Sequence, residues 1–94
     1  MQLSRQDIVT AAENIELSED DYSIRESYPA SYGETCAGVV LPSTGEVTEF
    51  MVSLALLLAE DGRGEDAREL ARKTRTDSMG FSTIAYWDGV EITD

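Results

Sequence analysis

The sequence predicts an α+β fold in which a small, mostly antiparallel sheet of three to four strands packs against about three helices. Apolar residues recur at helical spacing in three segments and form alternating or short continuous apolar runs in four others, with turn-forming residues between them. The predicted order of elements is α-β-β-α-α-β-β. A chain of 94 residues has room for one hydrophobic core, so we expect residues 1–94 to form a single domain.

The first predicted helix begins after Ser4 and runs to about Glu16. Ser4 is a typical N-cap residue, and Asp7 places a carboxylate near the positive end of the helix. Leu3 precedes the cap and can pack back onto the first turn. The apolar residues that share one helical face are Ile8, Ala11, Ala12 and Ile15.

The segment that follows this helix leaves two interpretations open. Residues 18–21 fit either a loop or a single helical turn. Residues 22–28 alternate between apolar and polar side chains, which is typical of a half-buried strand, and Pro29 would end that strand. Residues 20–25 would also fit a continuing helix.

A buried strand and the strongest helix of the chain come next. Residues 35–41 form an apolar run that predicts a buried strand ending at Pro42, and this strand can form a hairpin with the preceding one. Ser43 and Glu46 have the spacing of a capping box. They open a helix predicted from about Gly45 to Glu60.

This second helix is apolar around most of its circumference. Its main stripe consists of Val47, Phe50, Met51, Leu54, Leu57 and Leu58. The flanks of the stripe add Val52, Ala55, Leu56 and Ala59. Such a helix either lies centrally, covered on two sides, or exposes a patch that recruits a partner. Gly62 is placed for a left-handed cap at its end.

The remaining elements are a surface helix and two strands. The third helix is predicted over residues 65–76, with acidic residues first and basic residues last, as the helix dipole favours. Residues 77–80 resemble a turn, and residues 81–87 are rich in β-forming side chains. The pair Asp88-Gly89 is a hairpin signal, after which residues 90–92 predict a short final strand.

The charge of the chain restricts its partners. The sequence carries 19 acidic and 7 basic residues and no histidine, a formal net charge of −12. This charge opposes direct binding to nucleic acid or to an anionic membrane, and it favours a protein partner with a basic surface. No segment is apolar enough to span a membrane or to act as a signal peptide, and the lone Cys36 agrees with a reducing compartment, so we expect a cytoplasmic protein.

The residue types argue against catalysis and against a cofactor. Without histidine the chain lacks the commonest general base and metal ligand. Cys36 lies on a predicted buried strand, where a structural thiol is the favoured interpretation. Glu19, Asp20 and Asp21 do not have the spacing of a calcium loop. We therefore predict no catalytic residues, no metal site and no cofactor.

Two groups of residues are the candidate binding positions, because carboxylates suit a basic partner and tyrosines are frequent at interfaces. These positions are Glu16, Glu19, Asp20, Asp21, Tyr28, Tyr32 and Glu34. The basic cluster of the third predicted helix has a different interpretation, as a solvated helix end or as a surface that pairs with the acidic region of another copy. That cluster consists of Arg68, Arg72, Lys73 and Arg75.

The stretch from Thr74 to Val90, Thr-Arg-Thr-Asp-Ser-Met-Gly-Phe-Ser-Thr-Ile-Ala-Tyr-Trp-Asp-Gly-Val, resembles a segment of small acidic proteins of unknown function encoded by tailed phages of GC-rich bacteria. The likeness covers about a third of the chain and carries no functional residue across. It implies a phage-encoded accessory protein in the host cytoplasm, a group in which inhibition of host proteins is common.

Two functional hypotheses follow from the sequence. The first is a non-enzymatic protein-binding accessory protein, an inhibitor whose carboxylates mimic nucleic acid and occupy a basic groove of a host protein. The second is a structural or oligomeric module that self-associates through the apolar second helix.

Overall fold

The computed structural model describes residues 1–29 and 35–94 of the chain. The three helices are α1 (Arg5–Asn14), α2 (Thr44–Glu60) and α3 (Gly64–Lys73). The six strands are β1 (Gln2–Ser4), β2 (Ser23–Pro29), β3 (Thr35–Leu41), β4 (Arg75–Met79), β5 (Ser82–Trp87) and β6 (Glu91–Thr93). These elements confirm the predicted α+β class.

The strands form two sheets. The larger sheet is antiparallel throughout and has the order β2-β3-β5-β4, so that β2 and β4 are its edges. The smaller sheet is a parallel pair of β1 and β6, in which Leu3 lies opposite Ile92. A register shift between Arg25 and Tyr28 interrupts the pairing of β2 with β3. This irregularity and the terminal Pro29 make the β2 edge a poor template for another strand.

The main core lies between the helices and one face of the larger sheet. The sheet contributes every second residue of its two central strands, as strand alternation requires. These residues are Ala37, Val39, Leu41, Ala85 and Trp87. The helices cover them with fully buried side chains that include Ile8, Phe50, Leu54, Leu58 and Leu70.

Polar groups inside this layer are hydrogen-bonded. The Ser53 hydroxyl on α2 donates to the main-chain carbonyl oxygen of Ala11 on α1 at 2.8 Å, in a buried position. The Trp87 indole N–H donates to the Thr74 hydroxyl at 3.1 Å, and that hydroxyl donates to the Leu70 carbonyl oxygen at 2.6 Å. These bonds tie α1 to α2 and the end of α3 to the sheet.

The opposite face of the larger sheet carries a second, smaller cluster. Cys36, Ile84 and Tyr86 are buried there, and Tyr28 and Val40 pack against them. Gly38 lies at the centre of this face, where an added Cβ would stand 2.7 Å from the Ala85 carbonyl oxygen and 3.0 Å from the Tyr86 Cβ. A side chain at position 38 would therefore collide with the neighbouring strand, and only glycine fits.

The predicted order of elements needs two corrections. Residues 77–80 are not a turn, because residues 75–79 form β4, which pairs with β5 through the two-residue loop of Gly80 and Phe81. Gly80 has a φ of 69°, as the first position of a type II′ loop requires. The polar side chains of β4 hid this strand, which lies at the edge of the sheet and buries little of its surface.

The second correction concerns the ends of the described fold. The strand predicted over residues 90–92 exists as β6, but it does not form a hairpin with β5. It pairs in parallel with β1, a strand that the sequence analysis did not predict. The order is therefore β-α-β-β-α-α-β-β-β.

One helix start agrees with the prediction, and other helix ends differ from it for local reasons. The capping box of Ser4 and Asp7 is present as predicted. In α2 the Ser43 hydroxyl instead bonds the Glu46 carboxylate and makes no hydrogen bond to the helix backbone. Helix α3 ends at Lys73 rather than Thr76, because β4 begins at Arg75.

Candidate protein-interaction surface

Four of the predicted binding residues lie together in the segment that joins α1 to β2. Glu16, Glu19, Asp20 and Asp21 are all exposed. The Asp21 carboxylate accepts hydrogen bonds from the main-chain N–H and the hydroxyl of Ser18, at 2.8 and 3.1 Å. These bonds fix a compact turn of residues 18–21 on which Glu19 and Asp20 are exposed, and Glu16 lies two residues before it.

Glu16 has a backbone conformation that is rare for a residue with a side chain. Its φ is 63°, in the left-handed region. The Glu16 N–H donates to the Glu13 carbonyl oxygen, and the Leu17 N–H donates to the Ala12 carbonyl oxygen, which together form a Schellman motif. Glycine is the usual residue at this position. Because the sequence has no glycine here, the end of α1 was predicted at about Glu16, two residues beyond its observed end at Asn14.

The structure places Tyr28 away from these carboxylates. Its side chain belongs to the cluster on the sheet face opposite the helices, where its ring centroid lies 5.1 Å from that of Tyr86. Its hydroxyl donates to the Asp77 carboxylate at 2.8 Å. The pKa of Tyr28 is raised chiefly by this hydrogen bond, and desolvation is the second cause. Tyr32 and Glu34, the other two predicted positions, lie outside the described residues.

The most exposed apolar surface of the helical layer lies on α2. Val52 and Leu56, one turn apart, are 55% and 59% exposed. We call these two residues the apolar ridge. The buried side of the same helix contains Val47, Phe50, Leu54 and Leu58, so α2 is apolar on both its inner and its outer side. From the sequence, Val52 and Leu56 are expected on the flanks of the helix, and neither is among the predicted binding positions.

A groove runs along each side of the apolar ridge. The groove between α1 and α2 is lined by Ile15 as well as by both ridge residues. The groove between α2 and α3 is lined by Val52 together with Met51, Ala55, Ala67 and Leu70. Val52 thus borders both grooves, and the ridge and its grooves form one continuous apolar strip.

Charged residues border this strip. Glu16 and Glu49 line the groove between α1 and α2, and we call them the acidic rim. On the α3 side, Ala71 lines both the groove and an adjoining depression that is lined by two acidic and two basic residues, namely Glu65, Glu69, Arg68 and Arg72. Arg72 lies 4.0 Å from Glu69.

Two other arginines connect separate elements of the fold. The Arg63 guanidinium donates to Asp7, Asp66 and the Gln2 carbonyl oxygen at 2.7–3.2 Å. Burial acts to lower the pKa of Arg63, but the bonds to the two carboxylates outweigh this effect and raise the pKa. Arg5 donates to Glu26 and Asp94 at 2.6 and 3.0 Å.

The described part of the chain offers little to metal or thiol chemistry. Across residues 1–29 and 35–94, no three aspartate, glutamate or cysteine side chains are grouped so that they could hold a metal ion. The Cys36 thiol is buried. Over the same residues, no helix has the length and apolar character that crossing a membrane requires.

No protein-family model matches the chain, and neither a curated protein nor a solved structure matches it. The resemblance to small acidic phage proteins therefore stays a prediction.

Proposed function

We propose that this protein works without catalysis, by binding another protein through the apolar ridge and the grooves beside it. The exposure of Val52 and Leu56 carries the proposal. Each residue is more than half exposed; Val52 lines both apolar grooves, and Leu56 lines the groove between α1 and α2. Contiguous exposed apolar surface with a polar border is a mark of interaction sites.

The charged residues beside the ridge indicate the chemistry of the partner. The acidic rim of Glu16 and Glu49 favours a partner that presents cations beside its own apolar side chains, and the net charge of −12 attracts such a partner over a distance. The same charge opposes nucleic acid and anionic membranes. The single cysteine and the resemblance to phage proteins support a site of action in the cytoplasm, in a bacterial host of the phage.

The test is photo-cross-linking in the cells that produce the protein. A photoreactive amino acid in place of Leu56 should give an adduct of one defined mass, and the same residue in place of the exposed Glu91 should not. Excess wild-type protein should suppress the adduct, whereas a variant with both Val52→Lys and Leu56→Lys should not. A Leu56 position that gives no adduct, or the same products as position 91, would contradict the proposal.

A second candidate function is inhibition by nucleic-acid mimicry. Four exposed carboxylates on the short segment of residues 16–21 favour it, namely Glu16, Glu19, Asp20 and Asp21. The protein should then displace a labelled DNA duplex from a basic DNA-binding protein, and a variant with these four residues changed to glutamine or asparagine should not. Equal displacement of the duplex by the wild type and by the variant would contradict nucleic-acid mimicry.

A further inference from the structure

The two edges of the larger sheet differ in how well they are protected against pairing with another strand. The β2 edge is interrupted by the register shift between Arg25 and Tyr28, and it ends at Pro29. The β4 edge pairs with β5 in unbroken register and includes no proline, and all of its residues except Asp77 are exposed. A regular, exposed edge strand is a template to which another strand can add.

The β4–β5 hairpin determines which main-chain groups β4 presents at this edge. Met79 flanks the two-residue loop, and in such a hairpin the flanking residues exchange both of their main-chain hydrogen bonds. Because the bonding direction alternates along a strand, Asp77 and Arg75 also bond β5. The N–H and C=O groups of Thr76 and Ser78 therefore point outward from the edge.

The side chains of Arg75 and Asp77 share the sheet face opposite the helices. They lie across from Tyr86 and Ile84, which belong to the cluster on that face. The hydrogen bond from Tyr28 holds the Asp77 carboxylate there through one of its two oxygens. The β4 edge thus carries a cation and an anion two residues apart, next to main-chain groups that point outward.

A second β4 can add antiparallel to this edge in two registers that form equal numbers of main-chain hydrogen bonds. With the two-fold axis at Thr76, the two Thr76 residues bond each other, and each Ser78 N–H donates to the Thr74 carbonyl oxygen of the other copy. The Thr74 N–H already donates to the Leu70 carbonyl oxygen and takes no part. With the axis at Asp77, Thr76 of each copy exchanges both bonds with Ser78 of the other.

Charge decides between these registers. With the axis at Asp77, the two aspartates lie directly opposite each other in a non-hydrogen-bonded pair, where side chains are closest, and they repel. With the axis at Thr76, Arg75 of each copy instead lies opposite Asp77 of the other, so that two attractive pairs form. An axis at Ser78 would require Gly80, whose φ is 69°, to act as a strand residue.

We propose that β4 pairs with β4 of a second copy, antiparallel and about a two-fold axis through Thr76. The axis is perpendicular to the sheet, so the two sheets join into one, with the helices of both copies on the same side. Charged side chains usually protect an edge strand, but the opposite signs of Arg75 and Asp77 make this one register favourable. The inference does not depend on the proposed function, because the apolar ridge takes no part in the pairing.

The pairing has to form between two acidic molecules. At physiological ionic strength the Debye length is about 8 Å, so charges far from the edge repel only weakly. The strand itself carries one cationic and one anionic side chain, Arg75 and Asp77, and therefore no net charge. The charges nearest to the axis are thus the ones that attract.

Single cysteines test the register without changing a charge. Thr76→Cys should give a disulfide-linked dimer when oxidised glutathione is added, because Cα atoms in such a pair are about 5.5 Å apart, within the range of a disulfide. Ser78→Cys should not, since position 78 lies opposite Thr74 of the other copy. The wild type, in which Cys36 is buried, should stay unlinked. Cross-linking at position 78 as efficient as that at position 76 would overturn the register.

Charge exchange tests the pairing of Arg75 with Asp77. Arg75→Glu and Asp77→Arg should each dimerise at least about tenfold more weakly than the wild type, because both pairs become repulsive. An equimolar mixture of the two should form a heterodimer, and a chain with both changes should dimerise again. Sedimentation equilibrium measures these states. Tyr28→Phe removes the hydrogen bond to Asp77 but neither charge, and it should dimerise like the wild type.

A proline tests the main-chain bonds. Thr76→Pro removes an outward N–H that β5 does not use, so it should abolish the dimer and keep the fold, which circular dichroism checks. Thr76→Val is the matched control, since it keeps this N–H and should dimerise.

The outcomes separate this inference from the proposed function. A wild-type protein that stays monomeric at millimolar concentration overturns the dimer, and a dimer that persists in Thr76→Pro overturns its assignment to β4. The variant with Val52→Lys and Leu56→Lys should still dimerise. Thr76→Pro should still give the cross-linked adduct from position 56, so that either proposal can fail while the other stands.

Discussion

The Tyr28 hydroxyl donates a 2.8 Å hydrogen bond to the Asp77 carboxylate, and this bond joins the two edge strands of the larger sheet. Tyr28 lies on β2 and Asp77 on β4, with two strands between them. Gly38, on the strand next to β2, adds no side chain to the sheet face on which Tyr28 packs. Tyr28, which was predicted to be a binding residue, thus connects the two edge strands on the sheet face opposite the helices.

Replacement of Tyr28 by phenylalanine should lower the free energy of unfolding. The change keeps the ring contact with Tyr86 but leaves the half-buried Asp77 carboxylate without this donor. Urea denaturation measures the loss. Tyr22→Phe provides the matched control at another half-buried tyrosine and should cost less, and equal losses in the two variants would mean that the Asp77 contact contributes nothing.

The stability of the protein should fall at alkaline pH. The raised pKa of Tyr28 means that the folded protein holds this proton to a higher pH than the unfolded chain, in which tyrosine titrates near 10. The stabilisation is complete below about pH 10 and is lost as the pH rises through the raised pKa. Tyr22, whose pKa is raised chiefly by burial, adds to the same trend.

Unfolding in urea at about pH 8 and about pH 11 should show this decline, and it should be smaller in the Tyr28→Phe variant. Ultraviolet titration of the wild type should show tyrosines that ionise above the unfolded value. A decline of the same size in both proteins would argue against a role for Tyr28.

Gly38→Ala should be strongly destabilising. The new methyl group would stand 2.7 Å from the Ala85 carbonyl oxygen, a main-chain atom that cannot move without disturbing the sheet. We expect a loss of about 1–3 kcal/mol in the free energy of unfolding. Gly45→Ala is the control, because position 45 in the first turn of α2 has only Ser43 within van der Waals contact. That variant should be neutral or slightly more stable.

Glu16→Gly should stabilise the protein. The residue is held at a φ of 63°, which costs a residue with a side chain more than it costs glycine. After the larger conformational entropy of unfolded glycine is subtracted, the gain should be about 0.5–1 kcal/mol. The same substitution at Glu13, which is exposed within α1, should instead destabilise by about 0.5–1 kcal/mol. Thermal unfolding that shifts in the same direction for both variants would contradict the assignment.

Ser53→Ala should weaken the contact between α1 and α2. The buried Ser53 hydroxyl is a donor to the Ala11 carbonyl oxygen at 2.8 Å. Its removal should cost about 1–2 kcal/mol, measured by chemical denaturation. Ser23→Ala, on an exposed edge position of β2, should change the stability by less than about 0.5 kcal/mol.

The patterns that depend on local chemistry predicted the fold well. The run from Thr35 to Leu41 matches β3 at both ends, and the cap at Ser4 and the apolar stripe of α2 are where the periodicity placed them. Such elements can be predicted because burial of one face produces a regular spacing of apolar residues in the sequence.

The pairing of distant segments could not be predicted in the same way. Residues 2–4 are too short to show alternation, and they form a strand only because residues 91–93 lie beside them. The sequence Asp-Ser-Met-Gly is compatible with a turn, and β4 exists because β5 supplies its hydrogen bonds. Tertiary contacts determine both.

The candidate surface was only partly predictable for a similar reason. The sequence showed that α2 has more apolar residues than one buried face can use, but it could not tell which would stay exposed. That depends on the sides from which α1 and α3 cover the helix, and these leave Val52 and Leu56 uncovered. The position of Glu16 and Glu49 beside the same groove likewise follows from helix packing and not from the order of the charges in the chain.

The parallel pairing of β1 with β6 has a consequence for biosynthesis. Leu3 is completely buried, yet its strand neighbour Ile92 lies 89 positions later in the chain. During synthesis this strand pair cannot form until residues 91–93 have left the ribosome, so the parallel pairing of β1 with β6 is a late step of folding.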